Sequence, residues 1–261
     1  MKKILISLFT FLLSISSCSK EDDFSSLPLW SPTDHGYELV WEDNFDSTAI
    51  DRTKWDYRSV GSTRGMAVVD TSTIYLDGEG HLVIEFSEKD GTFYVGQLTT
   101  QNKQLFKYGY FECNVMLNKQ PGMYPAFWLQ SPKIGGGEDP SIYGAEIDIF
   151  EYKVIDSNSI YNTVWWNYGD NIKGKQNKTL IPQINVGFHK FGLEWTPEEY
   201  VFYVDNKEIW RTTSGVSQIE QYIILSTEYK EWGGGGANPQ TLPDKVFFDY
   251  VKVYSRNYFY E

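Results

Sequence analysis

Cysteine is almost absent. The 261 residues contain two, Cys18 and Cys113, so no disulfide is expected inside the folded part and no thiol cluster is available for zinc. Histidine is equally scarce. His35, His81 and His189 stand at no ligand spacing from one another or from cysteine, which removes the usual His/Cys metal centres. Cations are in deficit: 23 Lys and Arg face 35 Asp and Glu, for a net charge of −12. With no Lys/Arg stripe to displace phosphate counterions, nucleic acid is excluded as a partner. No Gly-x-Ser-x-Gly elbow is present, so a serine hydrolase has no support. The glycines of Pro132-Lys133-Ile134-Gly135-Gly136-Gly137-Glu138-Asp139-Pro140 lack the Lys-Ser/Thr that a phosphate loop needs and read as a plain loop. No internal repeat and no long amphipathic helical pattern occurs.

Aromatic residues are abundant, with 19 Tyr, 16 Phe and 9 Trp beside 22 Gly. Such a composition in one domain-sized chain favours an all-β sandwich or barrel. Apolar and polar residues alternate from Tyr37 to Trp41, His81 to Phe86, Phe93 to Thr99 and Tyr108 to Leu117. The pattern continues in Met123–Leu129, Tyr161–Trp166, Phe188–Trp195, Tyr200–Asp205, Glu208–Arg211, Tyr222–Thr227 and Val246–Tyr254. These are expected strands with one buried face. Asp205-Asn206-Lys207 is expected as a hairpin turn. Cys113, alternating with Phe111 and Val115, reads as a small core residue, and Trp41, Trp195 and Trp210 also read as core.

Residues 1–17 combine a Lys2-Lys3 n-region with an apolar run too short to span a membrane, which is the pattern of an export signal. The run ends in Ile15-Ser16-Ser17-Cys18, which resembles the lipobox of bacterial lipoproteins and implies cleavage before a lipidated Cys18. Residues 18–36 are then expected as a lipid-anchored tether and 37–261 as the domain. The acidic Ser19-Lys20-Glu21-Asp22-Asp23 resembles signals that send lipoproteins to the outer surface, so an outer-membrane or cell-surface location is expected. The membrane is thus a partner through the anchor alone.

The chemistry concentrates in Gly144-Ala145-Glu146-Ile147-Asp148-Ile149-Phe150-Glu151-Tyr152. Three acids alternate with large apolar side chains in a segment of strong β-propensity. In strict alternation Glu146 and Asp148 share a face. Glu151 joins them only if a β-bulge absorbs one extra residue between Asp148 and Glu151. Paired carboxylates beside many aromatics fit glycoside hydrolysis: one attacks the anomeric carbon and the other protonates the leaving oxygen. Trp and Tyr faces supply platforms for pyranose rings. Trp128, Trp165, Trp166 and Trp232 are candidates, with Tyr124 and Tyr168 behind them, and the adjacent Trp165 and Trp166 must face opposite sides. Arg64 and Glu228 read equally as substrate contacts or as an ion-pairing pair.

Glu146-Ile147-Asp148-Ile149-Phe150-Glu151 resembles the E-x-D-x-x-E signature of glycoside hydrolase family 16. Tyr108-Gly109-Tyr110-Phe111-Glu112 and Pro125-Ala126-Phe127-Trp128-Leu129 match upstream. Phe188 to Pro197, Phe202 to Asn206 and Asp249 to Tyr254 match downstream, so the resemblance runs from Tyr37 to Tyr254. It implies a concanavalin-like β-jelly roll of two antiparallel sheets, the concave one bearing a substrate cleft. It also implies retaining endo-cleavage of internal β-1,3 or β-1,4 bonds in a glucan or galactan. By position Glu146 is the nucleophile, Glu151 the general acid/base and Asp148 the residue that tunes the nucleophile. The extra residue before Glu151 resembles the bulged branch of laminarinases, agarases, porphyranases and carrageenases. Within it, Thr63-Arg64-Gly65-Met66 departs from the laminarinase pattern, and Thr227-Glu228-Tyr229 looks more like galactan-active members. No cofactor is implied for catalysis. A structural Ca²⁺ on the convex face is implied, with Asp249 and the Asn44 and Gly78 carbonyls as its holders; Asp249 capping a turn is the other reading.

A polysaccharide substrate and a monomer are expected. Two further functions share the features: a non-catalytic glycan-binding jelly roll and a transglycosylase. Binding alone gives no reason for three converging acids.

Overall fold

The computed structural model describes residues 24–168, 171–230 and 236–256. The export signal, Cys18 and Trp232 lie outside them. The described chain forms two sheets, as the alternating segments predict. The seven-stranded sheet runs, in spatial order, Lys173–Leu180, Ser159–Trp166, Glu146–Tyr152, Met123–Gln130, Tyr222–Tyr229, Gln97–Thr99 and Asp56–Tyr57. The eleven-stranded sheet is centred on Gly109–Met116 and Asp244–Ser255, with Phe188–Trp195, Tyr200–Val204 and Lys207–Thr212 to one side. Among the described residues the strands pair antiparallel except Ala67–Val69 with Thr92–Val95, and a single parallel bridge joins Gly65 to Tyr229. This is the jelly-roll sandwich expected.

The core lies between the sheets. Phe111, Cys113 and Val115 of one sheet and Phe127, Leu129, Ile147 and Phe150 of the other are buried in a single apolar cluster. Alternation places their neighbours outward: Ala126, Trp128, Tyr222 and Ile224 form a separate apolar group on the outer face of the seven-stranded sheet. That face carries the cleft.

Four local expectations change. Phe93–Thr99 is not one strand: Thr92–Val95 belongs to the larger sheet and Gln97–Thr99 to the smaller, with the chain crossing at Gly96. A Cβ at Gly96 would stand 2.4 Å from Ile74 Cγ1, so only glycine allows the crossing there. Secondly, Lys173–Leu180 is a strand. It is an edge strand exposed on most of its length, so no apolar alternation marks it. Thirdly, the Gly- and Pro-rich loop leads into a short helix, Pro140–Tyr143, capped by Asp139.

The fourth concerns the tether, expected to reach residue 36. From Phe24 onward it is docked on the outer face of the eleven-stranded sheet, opposite the cleft. Trp30 stacks on Tyr203 at 4.6 Å and packs against Tyr110 at 4.7 Å. Its backbone N–H donates to the Asn206 carbonyl at 2.7 Å. Burying the indole against two tyrosines is worth roughly 2–3 kcal/mol, which holds the segment down.

Candidate active site

The acid triplet sits on the strand Glu146–Tyr152. Its register against Ser159–Trp166 pairs Asp148 with Thr163 and Glu151 with Tyr161, so two residues, Ile149 and Phe150, oppose one. That is the expected bulge. Its effect on side-chain direction is plain: Ile147, Ile149, Phe150 and Tyr152 all enter the core, while Glu146, Asp148 and Glu151 line one cavity of about 380 Å³. Asn162, itself buried, donates Nδ2–H to the Ile149 carbonyl at 2.7 Å and so satisfies a group that the bulge frees from the ladder.

Each glutamate is held by its own pair of neutral donors. Gln130, directly opposite Glu146 across the strands, donates from Nε2 to Glu146 Oε2 at 2.7 Å, and Tyr168 hydrogen-bonds the same carboxylate. The Gln130 amide can turn only one way, because its Oε1 accepts from Arg58 at 2.8 Å and from the Tyr222 hydroxyl at 2.7 Å. Glu151 accepts from the Tyr124 hydroxyl at 2.7 Å and from Thr163 Oγ1 at 3.1 Å.

Burial raises all three carboxyls above the ordinary range. For Glu146 and Glu151 the hydrogen bonds just described pull the other way. Asp148 is raised furthest in cause: it is buried between two like charges, Glu151 and Glu146. A charge on the middle acid is thus opposed by burial and by both neighbours, while each outer acid has hydrogen bonds that favour its charged form.

The aromatic candidates divide. Trp128 lines the cavity, with Nε1 donating to Ser226 Oγ at 2.9 Å and the Arg58 guanidinium 5.1 Å from its ring. Tyr124 also lines it, but its hydroxyl is committed to Glu151, and the ammonium groups of Lys153 and Lys230 lie over its ring at 5.8 and 5.1 Å. It is thus a holder of Glu151 rather than a free sugar platform. Trp165 is the cross-strand partner of Glu146, on the cleft face, with its ring against Gly174, where a Cβ would come within 2.3 Å. Trp166 instead packs on the core and against Gly215, which withdraws it from the substrate candidates.

Arg64 and Glu228 line the cavity together and approach to 3.9 Å, while Lys230 pairs with the other Glu228 oxygen at 2.7 Å. Gly65 makes this wall possible. At φ +63 it lets the chain close on Tyr229, whose carbonyl would collide with any Cβ. Gln130, Thr163, Arg58 and Lys230 are site residues that the sequence reading missed. Strand register, which pairs Gln130 with Glu146 and Thr163 with Asp148, picks out the first two, while Arg58 and Lys230 are found only through their contacts with Gln130 and Glu228.

For calcium, the registers Asp43 with Val251 and Phe248 with Leu82 place Asp249 mid-strand, between the end of Glu38–Asp43, which Asn44 follows, and the start of Leu82–Lys89, which Gly78 precedes. Asp249 sits within the strand Asp244–Ser255 and accepts from Asn114 Nδ2 at 2.8 Å, so it does not cap a turn. Among the described residues no group of three acidic, His or Cys side chains forms there. A cation at that place would rest on one carboxylate and backbone carbonyls, a donor set that suits Ca²⁺ in kind. His189 donates from Nδ1 to Asp205 Oδ2 at 2.7 Å and so serves as a structural residue.

The family profile described as Glycosyl hydrolases family 16 matches residues 62–252. A Beta-glucanase of Rhodothermus marinus is 28% identical over 275 residues, covering 94% of this chain and 93% of that protein. The Endo-1,3-1,4-beta-glycanase EglC of Rhizobium meliloti (strain 1021) is 28% identical over 255 residues, and the chain spans 52% of its length. Among solved structures, the laminarinase from Rhodothermus marinus matches with TM-score 0.72 at 27% identity, covering 84% of this chain and 97% of that one. The laminarinase from Flavobacterium sp. UMI-01 matches at 0.71 and 25%, over 84% and 100%. The matched span includes every strand that carries an acid or a donor of the cleft apart from Asp56–Tyr57 and its neighbour Arg58, and on that match the chain belongs to glycosyl hydrolases family 16.

Proposed function

We propose that this family 16 glycoside hydrolase is a retaining endo-β-glycanase that cleaves internal β-1,3 or β-1,4 bonds of a glucan or galactan. One observation carries the reading: the bulge at Ile149 and Phe150 turns Glu151 onto the face of Glu146, in one cavity with Trp128. The names of the relatives, Beta-glucanase and laminarinase, support a β-glucan as the first substrate to test.

In this mechanism Glu146, fixed by Gln130 and Tyr168, attacks the anomeric carbon. The bond to the leaving oxygen breaks as Glu151, held by Tyr124 and Thr163, gives that oxygen its proton. Water then attacks the glycosyl-enzyme, with the Glu151 carboxylate taking one of its protons and Glu146 leaving as a carboxylate. Burial and two like-charged neighbours disfavour a charge on Asp148, which limits the negative charge crowded beside Glu146 before it attacks. Trp128 and Trp165 present apolar surface to the sugar, and Arg64 and Glu228 polar contacts.

Export and anchoring through Cys18 belong to the same proposal, supported by the sequence of residues 1–23. Incubation with laminarin, mixed-linkage glucan, agarose, porphyran and carrageenan, followed by NMR of the first products, tests substrate, linkage and anomeric outcome together. Products of inverted configuration, or reducing ends released undiminished by Glu146→Gln protein, overturn the mechanism. Oligosaccharides longer than the starting chain reveal transfer to sugar instead of water.

A further inference from the structure

Two cations flank the proposed acid/base, and no step above uses them. Lys153 follows Glu151 by two residues on the same strand exit, and Lys230 follows the strand Tyr222–Tyr229. Tyrosine faces fix both ammonium groups. Lys153 lies 4.0 Å from the Tyr161 ring centre and 5.8 Å from that of Tyr124, and Lys230 lies 5.1 Å from Tyr124. Tyr161 is the cross-strand partner of Glu151, and Tyr124 is its hydrogen-bond donor. The tyrosine that holds Glu151 and the tyrosine across the strand from it therefore also seat the two lysines. Both lysines are half-buried, so their field on Glu151 is less screened than that of surface charges.

We infer that Lys153 and Lys230 are positioning residues that act together as the counter-charge of Glu151, required in the step where it must stand as a carboxylate. The inference rests on the proposed role of Glu151. Burial makes the Glu151 carboxyl resist ionisation, which suits its first duty as acid. Its second duty, taking a proton from water, needs the opposite. Both lysines pull Glu151 toward ionisation. The other charged groups around it divide by element. Glu146 and Asp148 share its strand, Glu228 comes from Tyr222–Tyr229 and is paired with Lys230, and Lys178 on the edge strand is paired with Asp156. Tyr124 and Thr163 are neutral donors. Lys153 and Lys230 are thus the cations placed to offset the acid cluster at its Glu151 end.

The test is the pH dependence of kcat/KM and kcat for the wild type, the Lys153→Met/Lys230→Met double variant and the corresponding Arg variants. A ¹³C NMR titration of the Glu side chains is run on each, with Glu151→Gln protein to assign the signal. The double Met variant is expected to move the alkaline limb and the Glu151 titration up by about one pH unit, a size ordinary for a lost opposite charge at this range. It should also slow turnover on the acid side, where water attack needs the carboxylate. Arginine should return both to the wild-type position. An unmoved Glu151 titration, or Met and Arg variants that behave alike, overturns the inference. If no glycan is cleaved by the wild type, the catalytic reading fails on that ground while the titration still decides whether the lysines govern Glu151.

Discussion

Gln130 and Glu146 face each other across antiparallel strands, joined by a hydrogen bond of 2.7 Å whose donor is oriented by Arg58 and Tyr222 behind it. The carboxylate is thus placed from three strands and a loop, two contacts removed from its own backbone. A hydrogen bond to a charged group contributes about 1.5–3 kcal/mol. Gln130→Ala is therefore expected to lower kcat roughly 10–100-fold, with KM changed far less, in initial-rate measurements on a soluble β-glucan. Gln130→Glu should be worse, since it sets a second carboxylate against Glu146.

The bulge can be weakened without touching an acid. Asn162→Ala leaves the Ile149 carbonyl without its buried donor, a loss of about 1–3 kcal/mol. Urea unfolding should show that decrease in stability. Activity should fall as well, because the bulge is what aims Glu151. Unchanged stability would mean that another group satisfies the carbonyl.

Burial raises the Asp148 carboxyl well above its ordinary value, and the sign of the stability effect follows. A carboxyl harder to ionise in the folded state than in the unfolded chain favours the fold while both forms hold the proton. That advantage declines as pH rises from the ordinary carboxylate value, about 3.9, through the raised folded value. Asp148→Asn cannot ionise. Melting curves should therefore show the variant gaining on the wild type as pH increases across that window and losing its advantage in acid, while its activity drops.

Trp165 depends on a glycine on the neighbouring strand. A side chain at Gly174 would meet the indole at 2.3 Å, so Gly174→Val should displace Trp165 from its place beside Glu146. The expected result is a KM raised several-fold with kcat nearly kept, measured on oligosaccharides of increasing length. A variant with unchanged KM removes Trp165 from the sugar contacts.

Much of this site was legible in the order of residues. The spacing of Glu146, Asp148 and Glu151 required a bulge for a common direction, and the bulge is present with two core residues at its crest. The alternating strands and the buried Cys113 were likewise readable, because side-chain period and burial are local properties of a sequence. What was not readable depends on register. Gln130 and Thr163 look like any polar strand residue until pairing sets them beside an acid. Tyr124 and Trp166 show the same limit in reverse, since an aromatic residue reads alike whether its partner is a sugar, a carboxylate or the core. The Lys173–Leu180 strand escaped because an edge needs no apolar face, and the docking of Trp30 because it pairs residues far apart in the chain.

The polar character of that edge strand has a consequence for how these molecules behave together. Lys173 and Lys175 stand exposed on a strand whose outer side has no neighbour among the described residues. Two copies brought edge to edge would bring the like charges of Lys173 and Lys175 toward each other, which opposes backbone pairing along that edge. The edge thus carries its own protection against sheet-to-sheet joining, written in charge rather than in shape.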